Sequence, residues 1–321
     1  MLAGSETPLN RSILPSNLSP LGALPARFRR PRVLIVGCGD VGQRAARLLV
    51  PRVRVLALSR DGSAAALGAL RAQGIQPLVG DLDDAARLRR LAGIATHVLH
   101  LAPPPGEGEG DPRTRALVRA LARRTPPLAL VYGSTSGVYG DCGGAHIDET
   151  RGLRPATARA RRRVAAEGHV RAFGRATGVR TSVLRIPGIY AADREGGTPR
   201  ARLLRGTPVL APQDDVYTNH IHADDLARAC VLALWRGAPQ RVYHASDDSA
   251  LKMGDYFDLA ADLYGLPRPP RVRRADAAQH LPATLLSFMG ESRRLDNTRI
   301  KRELRLRLRH ATPASGLLSH A

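Results

Sequence analysis

Residues 32–46 read RVLIVGCGDVGQRAA. Val33 to Val36 form an unbroken apolar run that stops at Gly37, the pattern of a short strand buried on both faces. Gly37, Gly39 and Gly42 then stand as G-x-G-x-x-G, and apolar residues recur at helical spacing as far as Val50. A glycine pattern set between a strand and a helix has a physical use. Gly37 permits a tight turn, Gly39 lets backbone approach a pyrophosphate, and Gly42 lets the helix pack closely on the strand. The helix N-terminus, at Asp40 and Val41, offers unpaired N–H groups and a partial positive charge to phosphate. The stretch therefore predicts a Rossmann-type nucleotide site.

The same alternation continues outward. RVLALSR (54–60), IQPLVGD (75–81), THVLHLA (96–102), LALVYGSTS (128–136) and RTSVLRIPG (180–188) read as further strands. Helical patterns lie between them at 63–74, 83–93, 114–124 and 156–176, with Pro51 and Gly74 as stops. Strands apolar on both faces and separated by helices require a parallel sheet covered on both sides, joined by right-handed crossovers. The fold expected is α/β, a doubly wound parallel sheet.

Beyond Pro187 the pattern loosens into loops, a short helix near 199–205, the helical stretch ADDLARACVLALW (223–235) and a further strand, RVYHAS (241–246). This predicts a nucleotide-binding domain over residues 30–187 with 218–246, and a smaller, discontinuous substrate-binding part over 188–217 with 247–321. Residues 1–29 lack periodicity and read as a flexible extension, or as the product of a start codon placed too early.

The end of the second strand selects the cofactor. An Asp or Glu there would hold the ribose hydroxyls of NAD, whereas Ser59 and Arg60 stand in this chain. The planar fork of Arg60 suits the 2′-phosphate of NADP, so NADP is expected over NAD. Asp81 and Leu82, after the third strand, are placed to meet the adenine, although a helix-capping role would account for Asp81 as well.

The chain has 49 Lys and Arg against 28 Asp and Glu, a formal charge of +21, yet Lys occurs only at Lys252 and Lys301. The arginines are spread along the whole chain. They read as a solvated surface, not as a specific nucleic-acid face. No run approaches the ~20 apolar residues of a spanning helix. Cys38, Cys142 and Cys230 are isolated, as in a reducing cytoplasm, and suggest neither a disulfide framework nor a metal site.

Several motifs in order resemble the extended short-chain dehydrogenases/reductases, the NAD-dependent epimerase/dehydratase group. STSGVYGD (134–141) resembles their S-S-x-x-V-Y-G-D, LRIPGIY (184–190) their L-R-x-x-x-x-Y, NHIHADDLARA (219–229) their I-H-x-x-D-[LV]-A-x-A, and RVYHASDD (241–248) their Y-N-x-[GA] strand. The likeness extends from about residue 32 to 310. The family's leading glycine is missing, because Val36 stands there, which marks an atypical branch. The resemblance implies a small-molecule substrate, often a nucleotide sugar. It gives Thr135 the place of the catalytic Ser/Thr, lays Leu101 and Ala102 along the cofactor, and sets Pro187 near the nicotinamide. It brings Asp111 within about a residue of an active-site Asn, and makes His222 and Asp224 structural.

The family's chemistry depends on Tyr-x-x-x-Lys, where four-residue spacing puts both side chains on one helix face. Aligned on Pro155 and Glu167, those positions hold Arg159 and Arg163. Arg163 keeps the charge that would bind the nicotinamide ribose. Arg159 has no accessible neutral form and cannot replace the Tyr as a base. Tyr139, Tyr190 and His100 could supply a proton, but each is accounted for by packing or by a satisfied strand end. Two functions follow: an oxidoreductase or epimerase/dehydratase-like enzyme acting on an unidentified nucleotide-sugar or other anionic substrate, or a catalytically silent NADP-binding sensor or partner-binding protein. Relatives often dimerise through the helices flanking the fifth strand. The arginines at 159, 161, 162 and 163 would oppose that, so a monomer or a different homodimer is expected.

Overall fold

Seven parallel strands form the centre of the computed structural model, which describes residues 30–318. The expected extension over residues 1–29 lies outside the described residues. The strands are β1 (Arg32–Val36), β2 (Arg54–Ser59), β3 (Gln76–Val79), β4 (His97–His100), β5 (Ala129–Thr135), β6 (Arg180–Ile186) and β7 (Arg241–His244). They lie in the order β7-β6-β5-β4-β1-β2-β3, every neighbouring pair parallel. The order reverses between β1 and β4, where Val36 pairs with His100. In an open parallel sheet such a reversal leaves a crevice at the carboxyl ends of the strands.

The α-helices α1 (Asp40–Leu49), α2 (Ala64–Ala72), α3 (Pro112–Leu121), α4 (Ala158–Thr177) and α5 (Ala223–Arg236) cover the sheet. Strand residues alternate between two cores, which is why the strands are apolar throughout. Val33, Ile35, Val55, Ala57 and Leu99 join Ala45, Leu49 and Leu226 on the side of α1 and α5. Leu34, Val36, Leu56, Leu58 and Val98 join Leu117, Leu121, Ala166 and Val170 on the side of α3 and α4. The helix ends follow local chemistry. Ser63, Asp111 and Thr157 each accept a backbone N–H in the first turn of α2, α3 and α4, and Gly178 closes α4 with φ +73°.

One expected helix is absent. Residues 83–93 form a single 3₁₀ turn at Arg87–Leu91. Asp81 Oδ1 accepts from Asp83 N and Asp84 Oδ1 from Arg87 N, so the start of the segment is spent in turns. Leu88 and Leu91, three apart, both enter the core at that tighter spacing.

Three short parallel pairs bring distant loops to the strand ends: Gly188–Tyr190 with His220–His222, Val209–Leu210 with Arg271–Val272, and His146–Ile147 with Arg294–Leu295. Helix Met253–Tyr264 packs Tyr256, Phe257, Ala260 and Ala261 against Tyr190 and Val209.

Buried titratable groups make stability depend on pH. Desolvation lowers the pKa of His100, His220 and His244 to about 4, so each folds neutral. Because the unfolded imidazoles take protons first, their contribution is complete above pH ~6.5 and is lost as pH falls toward 4, at roughly 3 kcal/mol each. Asp247, raised to about 7 by burial, acts in the opposite sense: its contribution is present below its unfolded pKa and lost as pH rises through 7. Three histidines outweigh one aspartate. Urea unfolding at a series of pH values should therefore show stability falling between pH 6.5 and 4; a flat or rising profile would contradict this.

Candidate functional site

The glycine turn closes against the end of β4. Gly37 has φ +90°, and a Cβ there would lie 2.4 Å from Ala102 N. Leu101 N and Ala102 N both donate to Val36 O, so the segment after β4 is fixed to the segment after β1. A Cβ on Gly42 would lie 2.8 Å from Gly37 O, which is the close helix–strand approach expected of the third glycine. Gly39 differs: a Cβ there meets nothing within 4 Å. Protein packing does not require glycine at that place, but a ligand lying on the backbone would. Gly39 caps α1 without any side-chain bond, leaving the helix N-terminus free for an anion.

Asp40, in the first turn of α1, would oppose that anion. Its carboxylate is neutralised by Arg44 Nε at 2.9 Å and Arg194 Nη1 at 2.7 Å. Arg44 is buried and also pairs with Asp193 and Asp224, each at 2.6 Å. This ties α1, the loop after Tyr190 and the start of α5 into one charge network. His222, Asp224 and His310 bring possible ligand atoms within 4.8 Å of one another. Asp224 Oδ1 is held by Arg44, however, and His222 Nδ1 accepts the Asp224 amide, so these groups serve the fold here.

A cavity of about 620 Å³ opens beside the turn, lined by Gly37, Gly39, Ser59, Arg60, Asp81, Leu82 and Ala102. Seven of the residues read from the sequence as a cofactor site thus share one space. Arg60 is exposed and forms no ion pair among the described residues. Ser59 Oγ donates to Asp61 O, and the Asp61 carboxylate accepts Ser63 N, which holds its pKa below the usual range. Sequence reasoning missed Arg113, which reaches this cavity from α3 and pairs with Asp83 at 2.6 Å. Cys38 also lines the cavity, and burial pushes its thiol up to about 11, which disfavours the thiolate at neutral pH.

A second cavity, of about 480 Å³, lies at the ends of β5 and β6. Thr135, Ser136 and Gly137 form one wall, Pro187 to Tyr190 another, and Tyr256, Phe257 and Phe288 close it from the C-terminal part. Thr135 Oγ1 accepts from Gly137 N at 3.3 Å, leaving its own proton available. Glu291 and Arg293 enter the same cavity, joined at 2.8 Å. A Cβ on Gly137 would be 3.7 Å from Thr135 Oγ1 and 3.8 Å from Glu291 Oε2, so the two oxygens border one small space.

Arg159 also lines this cavity, its guanidinium 4.4 Å from the centre of the Phe288 ring. Arg163 turns elsewhere. Its Nη1 donates to Gly133 O at 2.7 Å and Tyr132 Oη at 3.1 Å, behind the end of β5, and it lines neither cavity. Asp111 is a buried cap of α3, accepting from Thr114 N and Thr114 Oγ1. His100 bonds Thr114 Oγ1 at 2.8 Å inside the core. Tyr139 is held by Arg185 at 2.6 Å, and burial raises its pKa to about 12. Tyr190 lines the cavity, but its buried hydroxyl has a strongly raised pKa through desolvation and Asp247.

The model of the NAD-dependent epimerase/dehydratase family matches residues 33–245, which include both cavity-lining strand ends and the glycine turn. The chain belongs to that family. Among solved structures it is similar to a functionally unknown conserved protein from Silicibacter pomeroyi, with 32% identity, TM-score 0.73, and coverage of 89% of this chain and 96% of that one. A UDP-glucose 4-epimerase from Thermotoga maritima with UDP-glucose shares 18% identity at TM-score 0.71 over 89% and 96% of the two chains. A UDP-glucuronic acid 4-epimerase from Bacillus cereus in complex with NAD shares 17% at TM-score 0.70, with the same coverage. These two establish a common fold. No curated protein matches the chain significantly. Among the described residues no helix is long and apolar enough to cross a membrane.

Proposed function

We propose that the family member is an NADP-dependent enzyme of the epimerase/dehydratase kind, acting on a small polar substrate in the cavity at Thr135. The observation that carries this is the pair of cavities meeting the carboxyl ends of β1, β4 and β5, one bordered by Gly39, where a Cβ would meet no protein atom, and the other by Thr135. In this reading residues 30–187 with 218–246 hold the cofactor and 188–217 with 247–318 shape the substrate space. Gly37, Gly39, Gly42 and the amides of Asp40 and Val41 cradle the pyrophosphate. Ser59 and Arg60 take the 2′-phosphate, Asp81 and Leu82 border the adenine, and Leu101, Ala102 and Pro187 flank the remainder. The nucleotide sugar held by the Thermotoga maritima neighbour is one substrate class of suitable polarity.

When bound, the nicotinamide supplies or accepts hydride. The chain's own work is to hold the reacting oxygen at the Thr135 hydroxyl and to move its proton. Glu291 is the one carboxylate lining this cavity, and Arg293 holds it in place at 2.8 Å, so it takes the proton-handling role that Arg159 cannot fill. Arg163 acts from behind, fixing Gly133 two residues before Thr135.

Titration with NADPH and NADH, read by cofactor fluorescence, tests the reading. NADPH should bind in the micromolar range, and Arg60→Ala should weaken it by about tenfold or more while sparing NADH. Tighter NADH binding would overturn the phosphate assignment, and binding of neither would overturn the cofactor. Turnover in a substrate screen that survives both Thr135→Ala and Glu291→Gln would remove the assigned chemistry. NADPH binding with no turnover across the screen would favour the silent sensor, for which the Arg at 159 already argues.

A further inference from the structure

The cavity at Thr135 is lined by three arginines and one carboxylate. Arg293 is neutralised by Glu291. Arg159 and Arg202 have no acidic partner among the described residues. Both are stacked on aromatic rings that the C-terminal part supplies, Arg159 on Phe288 at 4.4 Å and Arg202 on Phe257 at 4.3 Å, and both share the cavity with Thr135. Arg202 is the more unusual of the two. Its Nε and Nη2 are shut off from solvent and have no hydrogen-bond partner. A guanidinium carries five donors in a fixed fork, and leaving the three on Nε and Nη2 unpaired away from water is costly. Desolvation, with added repulsion from Arg205, holds the Arg202 pKa below its usual range. A stacked, partly dehydrated cation at a cavity wall is an arrangement that gains most from an anionic oxygen group.

We infer that the substrate is a dianion, with one phosphoryl or carboxylate group docked on Arg202 over Phe257 and a second on Arg159 over Phe288, next to the reacting oxygen at Thr135. The inference rests on the proposed enzymatic reading and narrows its substrate class. It also accounts for the Arg at 159. A residue that cannot act as a base still orients a substrate whose reacting carbon lies close to a negative charge.

Calorimetric titration of the NADPH-loaded protein with four probes tests this: phosphoglycolate, glutarate, inorganic phosphate and acetate. Phosphoglycolate and glutarate, dianions here in the sense of carrying two anionic groups, should bind at least about tenfold more tightly than phosphate and acetate, which carry one. Arg202→Met and Arg159→Gln should each reduce the preferred dianion to the level of the simple ions, and Arg202→Lys should restore part of the loss. Preference for phosphoglycolate over glutarate would assign a phosphoryl end, and the reverse two carboxylates. Equal binding of all four probes, or dianion binding unchanged in both variants, would overturn the proposal. The same NADPH titration without probes separates the two readings: if NADPH binds and the dianions do not, only the substrate inference fails; if NADPH does not bind, the cofactor reading fails, while the probes still report on the arginines.

Discussion

Gly37→Ala should unfold the protein or leave it several kcal/mol less stable, whereas Gly39→Ala should leave stability within about 0.5 kcal/mol of the parent and abolish tight NADPH binding. The two glycines are two residues apart but answer to different neighbours. At Gly37 the backbone sits at φ +90°, a region that costs an L-residue about 1–2 kcal/mol before any contact is considered. The added methyl would also lie 2.4 Å from Ala102 N, 2.7 Å from Ala102 Cα and 2.8 Å from Leu101 C. These are backbone atoms held to Val36 O by two hydrogen bonds, so relief requires parting β1 from β4 at the centre of the sheet. A total near 3–5 kcal/mol follows, a large part of a domain's usual margin. At Gly39, by contrast, φ is −78° and the methyl would enter open space. Only a ligand lying on that backbone would notice it. Urea unfolding and NADPH titration of both variants check the pair. Undiminished NADPH binding by Gly39→Ala would show that the cradle is not where the pyrophosphate lies.

The contrast shows what was legible in the sequence. The parallel sheet could be read because residues 32–187 carry two periodicities at once, continuous apolar runs for strands and 3.6-residue spacing for helices. The glycine turn could be read because strand, turn and helix are contiguous. The 3₁₀ turn at Arg87–Leu91 looks like a helix in the sequence because leucines three apart satisfy either helical period over so short a stretch. Nothing in the sequence singles out Arg202, Glu291 and Arg293. They line the cavity of Thr135 from 67 to 158 residues away, brought to it by loops that strands of two or three residues hold and that leave no periodic trace. The sole local signal for Glu291 and Arg293 was a cluster of charges just after Gly290. In a chain so rich in arginine, that cluster did not stand out.

Arg185→Met should cost about 3–5 kcal/mol, and adding Glu167→Met should recover most of it. Both side chains are 2% exposed and meet through two bonds, Nη2 to Oε2 at 2.8 Å and Nε to Oε1 at 3.1 Å. Removing the arginine alone leaves a carboxylate in the core with the Ser134 hydroxyl, at 2.7 Å, and the weaker Arg171 contact, at 3.4 Å, as its remaining partners. Removing both replaces a desolvated ion pair by apolar groups of similar volume, which is often neutral. The recovery should be incomplete, because Arg185 Nη1 also donates to Tyr139 Oη and its guanidinium lies 4.8 Å from that ring. A double-mutant cycle by urea unfolding at pH 7 measures the coupling. Additive single costs would show that the pair is two independent packing residues. Coupling of several kcal/mol would show that the ion pair fixes β5 to α4 and β6. Ser134 belongs to the same network and Thr135 follows it directly. The buried charges would then act on function by holding the end of β5 where the Thr135 hydroxyl faces the cavity, a positioning role that no motif in the sequence assigns to Arg185.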